Sequence, residues 1–207
     1  MGLELVVAAV VGGLLVAGAL TFRLMNARSR RRFSAVEAAW KQYAEAKGMR
    51  FTRASSGHLP GGKKATPPSI EAEVQGVPVY ITVQVTERGP MTRVEATLPS
   101  VAEDFLFAIY RRNSITKLPT ELSDVSEAKT GNKVFDAAFA LLSNETDLAR
   151  SILDRRLAQV VGDFPRKFSY LYSSQSRFTL IWPGMEAEPA VLDAAVNLVW
   201  TACRRRA

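Results

Sequence analysis

The chain has 207 residues, 47% of them hydrophobic, with 27 Lys and Arg, 20 Asp and Glu, one His and one Cys. A single cysteine excludes an intramolecular disulfide, and one His beside one Cys leaves too few ligands for a zinc site. The formal charge of +7 would suit a nucleic-acid binder, but its distribution argues otherwise. Five arginines lie at 23–32 and three at 204–206, leaving 19 Lys and Arg against 19 Asp and Glu between 33 and 203. A neutral middle with basic ends predicts contact with an anionic membrane surface and no nucleic-acid partner. Each basic residue near such a surface contributes about 1 kcal/mol.

Residues Leu5 to Phe22 form a continuous run without a charged side chain. Roughly 17–25 apolar residues at helical rise span the hydrocarbon core of a bilayer, so 1–22 are predicted to be a transmembrane anchor. Arg23, Arg28, Arg30, Arg31 and Arg32 follow the run and only Glu4 precedes it, the reverse of a signal peptide. The positive-inside rule then places everything after Arg23 in the cytoplasm. These five arginines are the predicted membrane-surface contacts, in a basic juxtamembrane linker over 23–33. Ala9, Gly13 and Ala17 recur every four residues, a small-residue ridge that predicts a homodimer through the membrane helix.

Ser34 and Glu37 have the spacing of a capping box, predicting a helix from Ala35 with Val36, Trp40, Tyr43 and Lys47 on one side and Gly48 at its end. Residues 55–68 are rich in Gly, Pro and Ser and read as a loop. Ile70, Ala72 and Val74, then Val77 to Val85, then Val94, Ala96 and Leu98 alternate with polar residues, the pattern of antiparallel strands with one apolar face. Phe105 to Tyr110 is a candidate fourth strand, and 113–132 a polar connection. Residues 134–142 fit either a helical turn or a strand. A helix capped by Asn144 is expected next, ending at Gly162 and Pro165. Phe168, Tyr170 and Tyr172, then Phe178, Leu180 and Trp182, make a hairpin. Pro189 opens a last helix with Leu192, Ala195, Val199 and Ala202 inward and Asp193, Asn197, Thr201 and Arg204 on its wet stripe.

No motif in this order carries a reaction. Gly57 to Lys64 has the spacing of a phosphate-binding loop, but Lys64 replaces the magnesium-binding hydroxyl and Pro67 and Pro68 stand where the helix should start. Asp136 sits among apolar neighbours and is assigned to the backbone turn around Gly131 to Lys133. Cys203 falls in an apolar helix, where a thiol is inert, and His58 in the loop. The aromatics of the hairpin either line a ligand cavity or fill the core. The expectation is therefore of no catalytic, cofactor-binding or metal-binding residue.

The order Val134-Phe135-Asp136-Ala137-Ala138-Phe139, Asn144 to Asp147, Ala149-Arg150-Ser151-Ile152-Leu153 and Phe178-Leu180-Trp182 resembles a bacterial family of uncharacterised membrane-anchored proteins. The resemblance covers about residues 95–200, with Ile152 standing where the family has leucine. It implies a cytoplasmic α+β domain at the bacterial inner membrane and no transferable site residues. The predicted fold class is α+β: one N-terminal transmembrane helix, then an antiparallel-sheet domain (34–207) with about three packed helices. The predicted function is a membrane-tethered binding or scaffolding module whose partners are the lipid bilayer and an unidentified protein. The alternative is a lipid- or small-ligand-binding domain at the membrane surface.

Overall fold

The computed structural model describes residues 33–55, 66–87, 89–97, 104–113, 120–122, 125–174 and 176–203. Nine strands run through them: β1 (Arg50–Thr52), β2 (Ser69–Val74), β3 (Val77–Thr86), β4 (Gly89–Thr97), β5 (Phe107–Arg111), β6 (Glu127–Ala128), β7 (Phe139–Ser143), β8 (Tyr170–Ser174) and β9 (Arg177–Pro183). They form one sheet in the order β1-β2-β3-β4-β9-β8-β5-β7-β6, with every neighbouring pair antiparallel. Five α-helices accompany the sheet among the described residues: α1 (33–47), α2 (Lys133–Ala138), α3 (Thr146–Ile152), α4 (Arg155–Asp163) and α5 (Pro189–Cys203).

Local chemistry explains the joints. Met49 N donates to Ala44 O and Gly48 N to Glu45 O, with Gly48 at φ +66°, so α1 ends in the left-handed cap that glycine adopts without strain. Gln75 and Gly76 both have positive φ and join β2 to β3 in a two-residue turn whose twist matches the strands. Asp154 accepts a 2.7 Å bond from Leu157 N and starts α4, so the single helix expected from Asn144 is two. Asn144 caps neither; its side chain accepts from Leu106 N and donates to Asp104 O, pinning the entry to β5.

One row of paired residues crosses the whole sheet: Phe51, Ile70, Ile81, Val94, Leu180, Leu171, Ile109, Leu141 and Ala128. All but Phe51 are buried, because this face carries the helices. The helix α5 lies over β3, β4 and β9, and α4 packs on α5. Thr201, expected on a wet stripe, is only 6% exposed, since α5 is buried on nearly every side toward its carboxyl end. Glu186 fastens the layers. Its carboxylate accepts from Arg166 Nε (2.9 Å) and from the Ala187 and Glu188 amides, while its carbonyl accepts from Trp40 Nε1. The Thr92 hydroxyl donates to Gly184 O and accepts from Glu186 N, both at 2.8 Å.

The predicted fold class is corrected by these elements. The sheet has nine strands, and five helices accompany it among the described residues where about three were expected. No helix of the described residues is long and apolar enough to cross a membrane. The predicted anchor, its ridge of Ala9, Gly13 and Ala17, and the contact residues Arg23, Arg28, Arg30, Arg31 and Arg32 lie outside the described residues. The physical reason for the undercounted elements is local. The strands β1 and β6 are too short to show alternation, and β7 is buried on both faces, so its residues do not alternate.

Candidate functional site

The two faces of the sheet have different chemistry. Phe107 and Phe178 stand on the helix-covered face and belong to its core. Four of the chain's five tyrosines, Tyr80, Tyr110, Tyr170 and Tyr172, stand on the other face. Register fixes this, because side chains alternate between faces with period 2. One row of the second face reads Tyr80, Glu95, Thr179, Tyr172, Ala108, Leu142. The adjacent row reads Thr82, Arg93, Ile181, Tyr170, Tyr110, Ala140.

The ends of this second face differ. Over β8, β5 and β7, Leu122 and Val125 pack with Ala108, Leu142, Tyr110 and Tyr172 into a small second core. Over β2 and β3, Tyr80 is 41% exposed, and Pro78 and Gln84 are also open to solvent. At the border between these zones, Arg93 Nη2 donates to Glu95 Oε1 at 2.5 Å, and Thr179 Oγ1 donates to the same oxygen at 3.2 Å. The side chains of Arg93 and Glu95 are 28% and 13% exposed. The rings of Tyr170 and Tyr172 meet edge to face at 5.3 Å. Burial pushes the Tyr170 phenol up; Tyr172 and Glu121 add to the shift and Arg93 opposes it. Tyr170 therefore stands within the fields of Arg93 and Glu121, and remains a neutral phenol at physiological pH. The border is a half-buried, charge-balanced shelf of hydroxyls, one guanidinium and one carboxylate.

A concavity of about 320 Å³ lies between α1 and β1 and is lined by Ser34, Glu37, Ala38, Lys41, Phe51 and Arg53. Its charges are already matched: Glu37 accepts from Arg53 Nε at 3.1 Å and from Ala54 N, and Lys41 stands 3.7 Å from Glu45. Glu37, read from the sequence as half of a capping box, is thus engaged by the end of β1.

The residues singled out in the sequence fall as follows. Asp136 Oδ1 accepts from Thr130 N (3.1 Å) and Thr130 Oγ1 (2.8 Å), and Asn132 caps α2 through Val134 N and Phe135 N. Burial acts to raise the Asp136 carboxyl, but the Thr130 and Gly131 hydrogen bonds and the Lys129 charge hold it below its ordinary value. That is the turn role assigned to it. Cys203 is buried, and burial alone pushes its thiol up to about 12, so no thiolate forms at neutral pH. His58 and the loop 57–64 lie outside the described residues. Among the described residues no three His, Cys, Asp or Glu side chains gather to hold a metal. The hairpin aromatics are divided: Phe168, Phe178 and Trp182 fill the core, while Tyr170 and Tyr172 face the other way. The sequence reading missed Arg93, Glu95 and Thr179. The available signal was their place at the polar phase of strands whose apolar phase was recognised.

No protein-family model matches the chain, and no curated protein matches it. Among solved structures it is similar to the crystal structure of the mycobacterial trehalose monomycolate transport factor A, TtfA. The match has a TM-score of 0.59 at 16% identity and covers 80% of this chain and 91% of that one. At that identity the likeness is one of backbone architecture: the chain shares its fold with a mycobacterial transport factor.

Proposed function

We propose that this protein is a binding module that engages lipid-linked cargo at a membrane surface. The observation that carries the reading is the second face of the sheet, where four tyrosines and the Arg93–Glu95–Thr179 cluster stand opposite the helical layer. A broad aromatic and polar surface mounted on a rigid sheet suits recognition of an amphiphile, with rings for its apolar parts and fixed polar groups for its head. The shared fold with a trehalose monomycolate transport factor supports the choice of lipid cargo. Arg23, Arg28, Arg30, Arg31 and Arg32 precede α1 in the sequence and would draw the module to an anionic leaflet electrostatically.

A photoreactive trehalose glycolipid in phosphatidylcholine vesicles tests the proposal on the full-length chain. Cross-links mapped by mass spectrometry are expected in β3, β4, β8 and β9, on the second face. Labelling that is absent, or confined to the helical layer, overturns it.

A further inference from the structure

We infer that the border shelf, Arg93, Glu95 and Thr179 beside Tyr80, Tyr170 and Tyr172, is a carbohydrate-binding site for an uncharged sugar, free or as a lipid headgroup. The inference rests on the reading of this face as the binding face and names the chemistry of its ligand.

Three observations lead there. First, the shelf holds uncommitted hydrogen-bonding capacity. Among the described residues no hydrogen bond reaches the hydroxyls of Tyr80, Tyr170 or Tyr172. The bonds to Glu95 both land on Oε1, which leaves Oε2 as an acceptor. Arg93 engages Glu95 through Nη2 and its Nε is buried without a partner among the described residues, so its planar fork is held at one arm only. Donors and acceptors thus alternate over a small area, as the vicinal hydroxyls of a pyranose require.

Second, the charge selects against an anion. Arg93 is already neutralised by Glu95 at 2.5 Å. Glu71, across the strands from Tyr80, is paired in turn with Arg50 at 3.6 Å, so its charge is matched as well, and Glu121 acts on Tyr170 through its charge. A phosphate would have to displace Glu95 from Arg93 to find its cation there, whereas a neutral polyol meets only hydrogen-bonding partners. Third, the rings are suitably placed. Tyr80 is directly paired with Glu95, and Tyr172 with Thr179, so aromatic surface flanks the polar cluster on both sides. Strands in a sheet are about 4.8 Å apart, which puts Tyr80 and Tyr172 about 14 Å from each other across three strand intervals, wide enough for an oligosaccharide between them.

The test uses the full-length chain in a sugar-free zwitterionic detergent, with saturation-transfer NMR of maltose and of glycerol phosphate as the anionic comparison. Maltose is expected to receive saturation, and glycerol phosphate to bind more weakly. Glu95→Gln and Tyr172→Phe should each weaken maltose binding about fivefold, the worth of one good hydrogen bond. Tyr172→Phe keeps the ring that packs in the second core, so a lost signal with an unchanged melting temperature reports the hydroxyl and not the fold. Absence of transfer in the wild-type chain, transfer undiminished in both variants, or tighter binding of glycerol phosphate overturns the inference. Vesicles with and without a diglucosyl lipid separate the two sources. Recruitment by that lipid, competed by free maltose, supports a headgroup site. Recruitment indifferent to maltose and to Glu95→Gln overturns the sugar site and leaves the lipid reading intact. Maltose binding without recruitment overturns the lipid reading and leaves the sugar site.

Discussion

The Tyr43 hydroxyl donates a 2.8 Å hydrogen bond to Asp193 Oδ1, joining α1 to α5 across 150 positions of chain. Lys47 Nζ approaches the other oxygen of the same carboxylate at 3.0 Å. Burial, followed by the bond and charge of Asp193, pushes the Tyr43 phenol well above its ordinary value. A raised phenol favours the folded state while it is protonated in both states. That contribution is whole below about pH 10, the unfolded value, and is lost as pH rises through the folded one. Tyr43→Phe should therefore cost about 1 kcal/mol at pH 7, discounted because Asp193 is half exposed. It should also flatten the loss of stability above pH 10. Urea melts of both chains at pH 7 and pH 11 check this; an alkaline limb equally steep in the variant contradicts it.

The Thr92–Gly184–Glu186 corner gives a second expectation. Thr92→Val keeps the shape and removes the hydroxyl, leaving Gly184 O and Glu186 N without their present partner. The expected cost is about 2–3 kcal/mol, and Thr92→Ser should recover most of it. Burial acts to raise the Glu186 carboxyl, but Arg166 and the Glu188 and Ala187 amides hold it below its ordinary value. Its contribution is therefore present above about pH 4.3 and lost as pH falls through the folded value, so Glu186→Gln should flatten the acid limb of a stability profile.

Ile81 and Thr82 are adjacent in β3 and belong to opposite faces. Ile81 is 1% exposed in the row that crosses the sheet, whereas Thr82 is half-buried on the second face beside Arg93. Ile81→Asp places an unpaired carboxylate in the core and should cost more than about 4 kcal/mol, enough to unfold a marginal domain. Thr82→Asp should cost under about 1 kcal/mol. Thermal melts followed by circular dichroism distinguish them, and equal damage would mean that both faces are sealed over β3.

Thr201 offers a stabilising change. Its Oγ1 is buried near the end of α5 and has no hydrogen-bond partner among the described residues. Thr201→Val replaces that hydroxyl with a methyl of nearly the same size, and a gain of about 1 kcal/mol is expected. A loss of stability in the urea midpoint would show that the hydroxyl is satisfied in solution.

Local chemistry alone determined much of the fold. The alternation in β2, β3, β4 and the β8–β9 hairpin, the Gly48 cap and the start of α5 at Pro189 are all properties of a few neighbouring residues. The same locality explains the role of Asp136, whose partners Thr130 and Gly131 lie within six positions. What the tertiary structure decided is everything set by which strands become neighbours. Residues 134–142 switch from α2 to β7 at Phe139, because β7 lies between β5 and β6 and is buried on both faces, which erases the period that marks a strand. The candidate site was hidden for the same reason. Arg93 and Glu95 sit on β4, Thr179 on β9 and Tyr172 on β8, and none has a distinctive neighbour in sequence. They share a surface only because β4 pairs with β9 and β9 with β8, and hydrogen-bonded register between distant segments is a property that no short stretch of chain contains.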